Sequence, residues 1–249
     1  MAQVYVRLYA ELGDFLRNGA GHTELVVGLE RRTSVKDLIE SLGVPHTEID
    51  LLLIDGESVG FETIVESGAR ISAYPRFRSL DVSELTRVRP DTPAALCFVL
   101  DTHLGRLAAY LRLLGFDTLY RNDYADETLA RISSEEGRIL LTRDRGLLKR
   151  SVVKYGYHVW ETHPERQLVE VLRRFELSGA AAPFHRCIEC NGEIESVAKA
   201  EIADRLPPKT RQFYDEFRRC RSCDRVFWKG SHFERMERLV RQALADSGG

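Results

Sequence analysis

Apolar and polar positions divide the chain into stretches of different period. Tyr5 to Tyr9 alternates as a half-buried strand does, with Val4, Val6 and Leu8 on one side. Thr23 to Val27 is a second strand candidate. Thr33-Ser34 followed by Val35, Leu38, Ile39 and Leu42 predicts a capped amphipathic helix, closed by Gly43 and Pro45. Leu51 to Ile54, a turn at Asp55-Gly56, and Arg70 to Tyr74 add further strands. Residues 79–94 mix charges with Pro90 and Pro93, show no sustained period, and read as a linker.

A different rhythm begins at Leu96. Leu96 to Leu100 is a continuous apolar run, the signature of a strand buried on both faces, and it ends in Asp101. Leu104, Leu107, Ala108 and Leu111 follow at helical spacing, with Arg106 and Arg112 falling away from that face. Phe116 to Tyr120 predicts a second strand, followed by the loop from Asn122 to Asp126. Asp126-Glu127 opens a helix that Gly137 ends. Arg138 to Thr142 predicts a third strand, with Arg143-Asp144 directly after it. Tyr157 to Trp160 is a fourth strand candidate and Gln167 to Phe175 a last helix. Strands alternating with helices call for a parallel sheet, so residues 95–180 read as an α/β domain. In such a sheet the carboxyl ends of the strands share one edge, where ligands bind. Asp101, Asp144 and the pair Asp123 and Asp126 each follow a strand. Clustered carboxylates repel one another unless a cation such as magnesium or manganese neutralises them. The same acids are also favoured helix caps, and that alternative stays open.

Composition narrows the classes. With 36 Lys/Arg against 38 Asp/Glu, overall charge does not point to nucleic acid. The longest apolar run, Ala94 to Leu100, is too short to span a membrane, and the alternating start is no signal peptide. A cytoplasmic location is expected. There the five cysteines are metal ligands or core residues sooner than disulfides.

Four of those cysteines form two CxxC pairs, Cys187 with Cys190 and Cys220 with Cys223. Each pair suits half of a tetrahedral structural zinc site, which predicts a zinc ribbon over 181–235. Cys97 is left over in the apolar strand and reads as core. Around the second pair, basic residues including Arg219 and Arg221 are interleaved with aromatics including Phe217, Phe227 and Trp228. Such a surface could hold a phosphate backbone and stack bases, the reading favoured after a nuclease-like domain; the alternative is a small core under a solvated charged face. Residues 236–249, beyond a short helix, read as a tail.

Residues 1–78, in the order ββαββ, resemble ubiquitin-like and sulfur-carrier β-grasp domains. A carrier needs a free Gly-Gly directly after its last strand. Here Gly248-Gly249 lies far from that module, so sulfur transfer is not expected and docking to a protein partner is. The pieces "LDTHLGRLAAYLRLLGFDTLY", "ADETLARISSEEGRILLTRDRGLL" and "RQLVEVLRRFEL" resemble the PIN-like ribonuclease family named after the C-terminal domain of the Mut-seven exonuclease. Its members often carry an N-terminal ubiquitin-like domain and a C-terminal zinc ribbon, so the resemblance covers essentially the whole chain. It implies Mg²⁺- or Mn²⁺-dependent cleavage of RNA by Asp101, Asp144 and Asp126, with Asp123 and Glu127 as neighbours. Arg106 and Arg143 flank these acids as phosphate contacts or as their ion-pair partners. His103 reads as a surface residue. The family's usual fourth acid has only Glu161 near its place, a departure that leaves the number of bound ions open. Two other readings stand beside the ribonuclease: a non-catalytic RNA- or ribosome-binding adaptor, and a DNA nuclease.

Overall fold

The computed structural model describes residues 2–16, 24–77, 80–88 and 96–248. The N-terminal part contains strands β1 (Ala2–Leu8) and β2 (Leu25–Leu29), helix α1 (Val35–Leu42), and strands β3 (Leu51–Ile54), β4 (Glu57–Ser58) and β5 (Arg70–Tyr74). The middle contains β6 (Phe98–Leu100), α2 (Gly105–Leu113), β7 (Thr118–Tyr120), α3 (Asp126–Glu136), β8 (Ile139–Thr142), α4 (Arg145–Leu148), β9 (Gly156–His158) and α5 (Pro164–Arg174). The C-terminal part contains β10 (Ile194–Val197), α6 (Lys199–Ile202), α7 (Pro208–Phe213), β11 (Phe217–Cys220), β12 (Val226–Trp228) and α8 (Ser231–Ser247). These elements group into two compact units, residues 1–94 with 126–158 and residues 95–125 with 159–249. The α/β region expected as one domain over 95–180 therefore contributes to both.

In the first unit, β1 to β5 form a sheet in the order β2-β1-β5-β3-β4. The central pair β1/β5 is parallel and its neighbours are antiparallel. Val4, Val6, Leu8, Ile71 and Ala73 are buried from the sheet, and Val35, Leu38 and Ile39 from α1. The caps of α1 are those that its sequence predicts. The Ser34 hydroxyl accepts from the Asp37 backbone N–H at 3.1 Å. Gly43 closes the helix at φ 113°, where a Cβ would also press to 3.0 Å from the Phe15 carbonyl oxygen. Within the expected linker, Val82 and Val88 are buried and the Thr86 hydroxyl donates to the Asp50 carbonyl, so this stretch packs and is not a free tether. Linker residues 79 and 89–94, and Thr23 of the expected second strand, lie outside the described residues. The same unit holds α3 and a βαβ step, in which β8 and β9 pair in parallel with α4 between them. All four residues of β8 are buried.

The second unit has its own βαβ step, β6–α2–β7, again with parallel strands. Phe98 of β6 packs edge-on against Phe116 and Phe175. β6 is shorter than its apolar run suggests. Leu96 is 40% exposed and Cys97 is only half buried, so the strand begins at Phe98. β10, β11 and β12 form an antiparallel three-stranded ribbon. The parallel βαβ steps, the N-terminal β-grasp sheet and the C-terminal ribbon agree with the mixed α/β class read from the sequence.

The expected tail over 236–249 is instead most of α8, seventeen residues long. Met236, Leu239, Val240, Ala243 and Leu244 recur at helical spacing, a stripe that the surrounding charges obscure in the sequence. The helix packs on α5. Arg173 donates to the Asp246 carbonyl at 3.1 Å, and the Ser178 and Ser247 hydroxyls share a hydrogen bond of 2.8 Å. Only Gly249 of the expected tail lies outside the described residues. No helix among the described residues is long and apolar enough to cross a membrane.

Val240 of α8 is 5% exposed. Val240→Ala is expected to lower unfolding stability in urea by roughly 1–3 kcal/mol, as a truncation in a packed interior does. In a solvated tail the same change would alter nothing.

Candidate functional site

Asp101 follows a strand whose three residues are all buried, and is itself 6% exposed. Its Oδ1 accepts from the His103 backbone N–H at 2.7 Å, which caps the tight turn Thr102–Leu104 ahead of α2. β7 braces this turn, because the Tyr120 hydroxyl donates to the Thr102 carbonyl at 3.0 Å. Gly105 makes room for that contact. A Cβ there would stand 2.6 Å from the Tyr120 hydroxyl oxygen. Arg106 is exposed on the first turn of α2, and His103 is exposed beside it, as expected.

Asp144 and Asp126 belong to the first unit. Asp144 follows β8 by two residues and caps α4, its Oδ1 accepting from the Gly146 N–H at 2.7 Å. Its own backbone N–H donates to the Thr142 hydroxyl oxygen at 2.9 Å. Its Oδ2 accepts no hydrogen bond from the described residues. Arg143 is exposed between strand and cap, and Asp126 is exposed as the first residue of α3. Glu127 beside it pairs with Arg150 at 2.8 Å. Asp123, in the second unit, is engaged elsewhere. Both its oxygens accept from Arg121, at 2.9 and 2.8 Å, and that hydrogen bonding holds its carboxyl below the usual range.

The four ribbon cysteines come together. One sulfur from each lies within 4.8 Å of all the others. Cys187 and Cys223 stand 3.7 Å apart, and Cys190 and Cys220 3.4 Å. These spacings are too long for disulfides. They suit a tetrahedral zinc with bonds of about 2.3 Å, whose sulfur–sulfur edges are about 3.8 Å. Backbone N–H groups of Gly192, Ser222 and Cys223 point at the sulfurs of Cys190 and Cys220, as they would to stabilise thiolates. Each CxxC is followed by a residue in the left-handed region, Asn191 at φ 69° and Asp224 at φ 59°. Asn and Asp tolerate that conformation best among non-glycine residues.

Two side chains at this centre escaped sequence reasoning. Arg112, placed on the outer face of α2 by periodicity, is 5% exposed. It donates to the Thr118 carbonyl at 2.9 Å and to the Ile188 and Glu189 carbonyls of the first CxxC at 3.1 and 2.9 Å. Burial lowers its pKa, while the nearby Cys190 and Cys187 favour its charge. Asn191 is also buried. It accepts from the Thr118 N–H at 3.0 Å and donates to Asp117 at 2.8 Å. The signal available in the sequence was faint: Arg112 stands between Leu111 and Leu113, both buried.

The basic run of the ribbon is largely balanced. Arg221 pairs with Glu195 and Glu193 at 2.8 and 3.2 Å, and Arg219 with Glu195 and Asp224 at 3.3 and 3.8 Å. Arg225 pairs with Glu189 and Lys229 with Glu216. Phe217 joins Val197, Ile202 and Leu206 in a small core, against which Tyr214, Val226 and Trp228 pack. Trp228 and Phe227 also line a cavity of about 390 Å³ with Arg218, Phe233 and Met236.

A family profile described as the Mut7-C RNAse domain matches residues 96–240, and one described as Mut7-C ubiquitin matches residues 1–81. No curated protein and no solved structure matches the chain.

Arg112→Met would strand two carbonyls of the first CxxC and one of β7. The expected cost is on the order of 3 kcal/mol. It would be read by urea unfolding of the zinc-loaded protein, with faster loss of zinc to a colorimetric chelator.

Proposed function

Because the chain belongs to the Mut7-C RNAse domain family, we propose that it is a metal-dependent ribonuclease that hydrolyses RNA phosphodiester bonds. Asp101, Asp126 and Asp144 supply the carboxylates. The observation that carries this reading is the family match over 96–240, which spans all three acids. Hard carboxylate oxygens suit Mg²⁺ or Mn²⁺, and the Oδ2 of Asp144, which accepts no hydrogen bond from the described residues, is such a donor. When bound, the ion supplies Lewis acidity and lowers the pKa of a coordinated water.

The protein's own groups do the rest. Buried β6 and β8 give Asp101 and Asp144 stiff supports. The caps orient each carboxylate by one oxygen. Arg106, exposed on the first turn of α2, and Arg143, exposed directly after β8, hold the phosphate. Asp123 is a neighbour engaged with Arg121. Trp228 offers an aromatic face for a base at the ribbon cavity. Arg219 and Arg221 meet the backbone by exchanging their carboxylate partners for phosphate. Zinc held by thiolates fits a reducing cytoplasm. The N-terminal module is the place for a protein partner.

One observation favours the adaptor reading: Asp101 and Asp144 both act as caps, a role that needs no reaction. Cleavage of a labelled single-stranded RNA separates the two. It is run with Mn²⁺, with Mg²⁺ and with EDTA, beside a folded, zinc-loaded Asp101→Asn/Asp144→Asn variant. Asn keeps an oxygen for each cap. Cleavage that requires added metal and falls to background in the variant is the expected result. RNA left intact by both proteins, yet bound equally, would favour the adaptor.

A further inference from the structure

The N-terminal module reaches the candidate site through α4. This helix is four residues long, too short to hold itself, so tertiary contacts must fix it. Its first residue is Arg145, the neighbour of Asp144. The Arg145 guanidinium donates to the Phe15 carbonyl at 2.9 Å and lies over the Phe15 ring at 5.0 Å. Phe15 is almost fully buried and meets His158 of β9 edge-on at 5.6 Å. At the other end of α4, the Lys149 ammonium donates to the Glu40 carbonyl at 2.5 Å. Beyond it, His46 bridges the Glu40 carboxylate at 2.7 Å and the Val153 carbonyl at 2.9 Å. Glu48, 3% exposed, accepts from the His158 backbone N–H at 2.6 Å.

Both ends of α4 and the strand after it are thus tied to residues 15–48. Asp144 takes its orientation from the first turn of α4, through Gly146. We infer that the β-grasp module is a built-in clamp on the Asp144 turn, with Phe15 and Arg145 as positioning residues that act through Asp144. This inference rests on the ribonuclease reading for its catalytic consequence. It goes beyond that reading by giving the N-terminal module a role inside the chain. A carboxylate displaced by a fraction of an ångström loses catalytic efficiency steeply.

The test uses the full, zinc-loaded chain and the variants Phe15→Leu, Arg145→Gln and Arg145→Lys. Phe15→Leu keeps a buried apolar side chain and removes the ring. Arg145→Lys keeps a cation that can reach the same carbonyl. Backbone hydrogen exchange at residues 144–149 is read first, since it needs no cleavage. The expected result is exchange faster by roughly tenfold there in Phe15→Leu and Arg145→Gln. Strands β1, β3 and β5 stay protected. The kcat for RNA falls by roughly tenfold with KM unchanged, and Arg145→Lys recovers most of it. Unaltered exchange at 144–149, or an equal rise throughout the first unit, would overturn the clamp. So would a kcat unaffected by Phe15→Leu in a protein that cleaves RNA. A wild-type protein that fails to cleave would defeat the ribonuclease reading instead, and the exchange pattern alone would then decide whether the module holds the Asp144 turn.

Discussion

Short strands are the constraint on which the rest of the architecture depends. β6, β7 and β9 have three residues each, β8 has four, and α4 is a single turn. Pieces of this length bury too little apolar surface to stand alone. The α/β region is therefore completed by what flanks it. The β-grasp module covers α4 and β9 within the first unit. The ribbon and α8 support α2, β7 and α5 within the second. The flanking modules are parts of the scaffold.

Electrostatics in the second unit follows from the same need. The four cysteines could hold a divalent metal such as zinc, and four thiolates around such an ion would carry net negative charge, which is costly to bury without a compensating cation. Arg112 supplies a buried positive charge at the back of the first CxxC and satisfies two carbonyls there and one of β7. On the outer face, the exposed cations of the ribbon meet carboxylates from β10 and the knuckles. Exposed pairs of this kind add little stability. They do set how much charge the ribbon presents to a polyanion.

Much of this was legible in the sequence where chemistry is local. The Ser34 cap, the Gly43 stop and the two CxxC pairs each state their own geometry, and the structure has them in those roles. Strand-end acids were legible because an apolar run that stops at Asp leaves few alternatives. The capping reading of Asp101 and Asp144 also holds, since one oxygen caps while the residue keeps its place at a strand end. What escaped depends on partners distant in the chain. Arg112 looks solvated until residue 188 returns to cover it. The stripe of α8 is diluted by charges and becomes meaningful only against α5. Glu195, which pairs with both Arg219 and Arg221, comes from another strand, so a run counted as basic is close to balanced.

Order of synthesis gives the discontinuous units a consequence of their own. Residues 1–94 leave the ribosome first, yet their unit is finished only when residues 126–158 follow. At ordinary elongation rates the interval from 94 to 126 lasts roughly 2–6 s. Throughout it Phe15 and Glu48 wait without the Arg145 and His158 groups that later cover them. The second unit has the opposite problem. Its first strand emerges early and must wait for Cys220, Cys223 and α8 near the end of the chain. Folding of this nascent chain is thus interleaved, with all segments of the first unit synthesised before those of the second are complete.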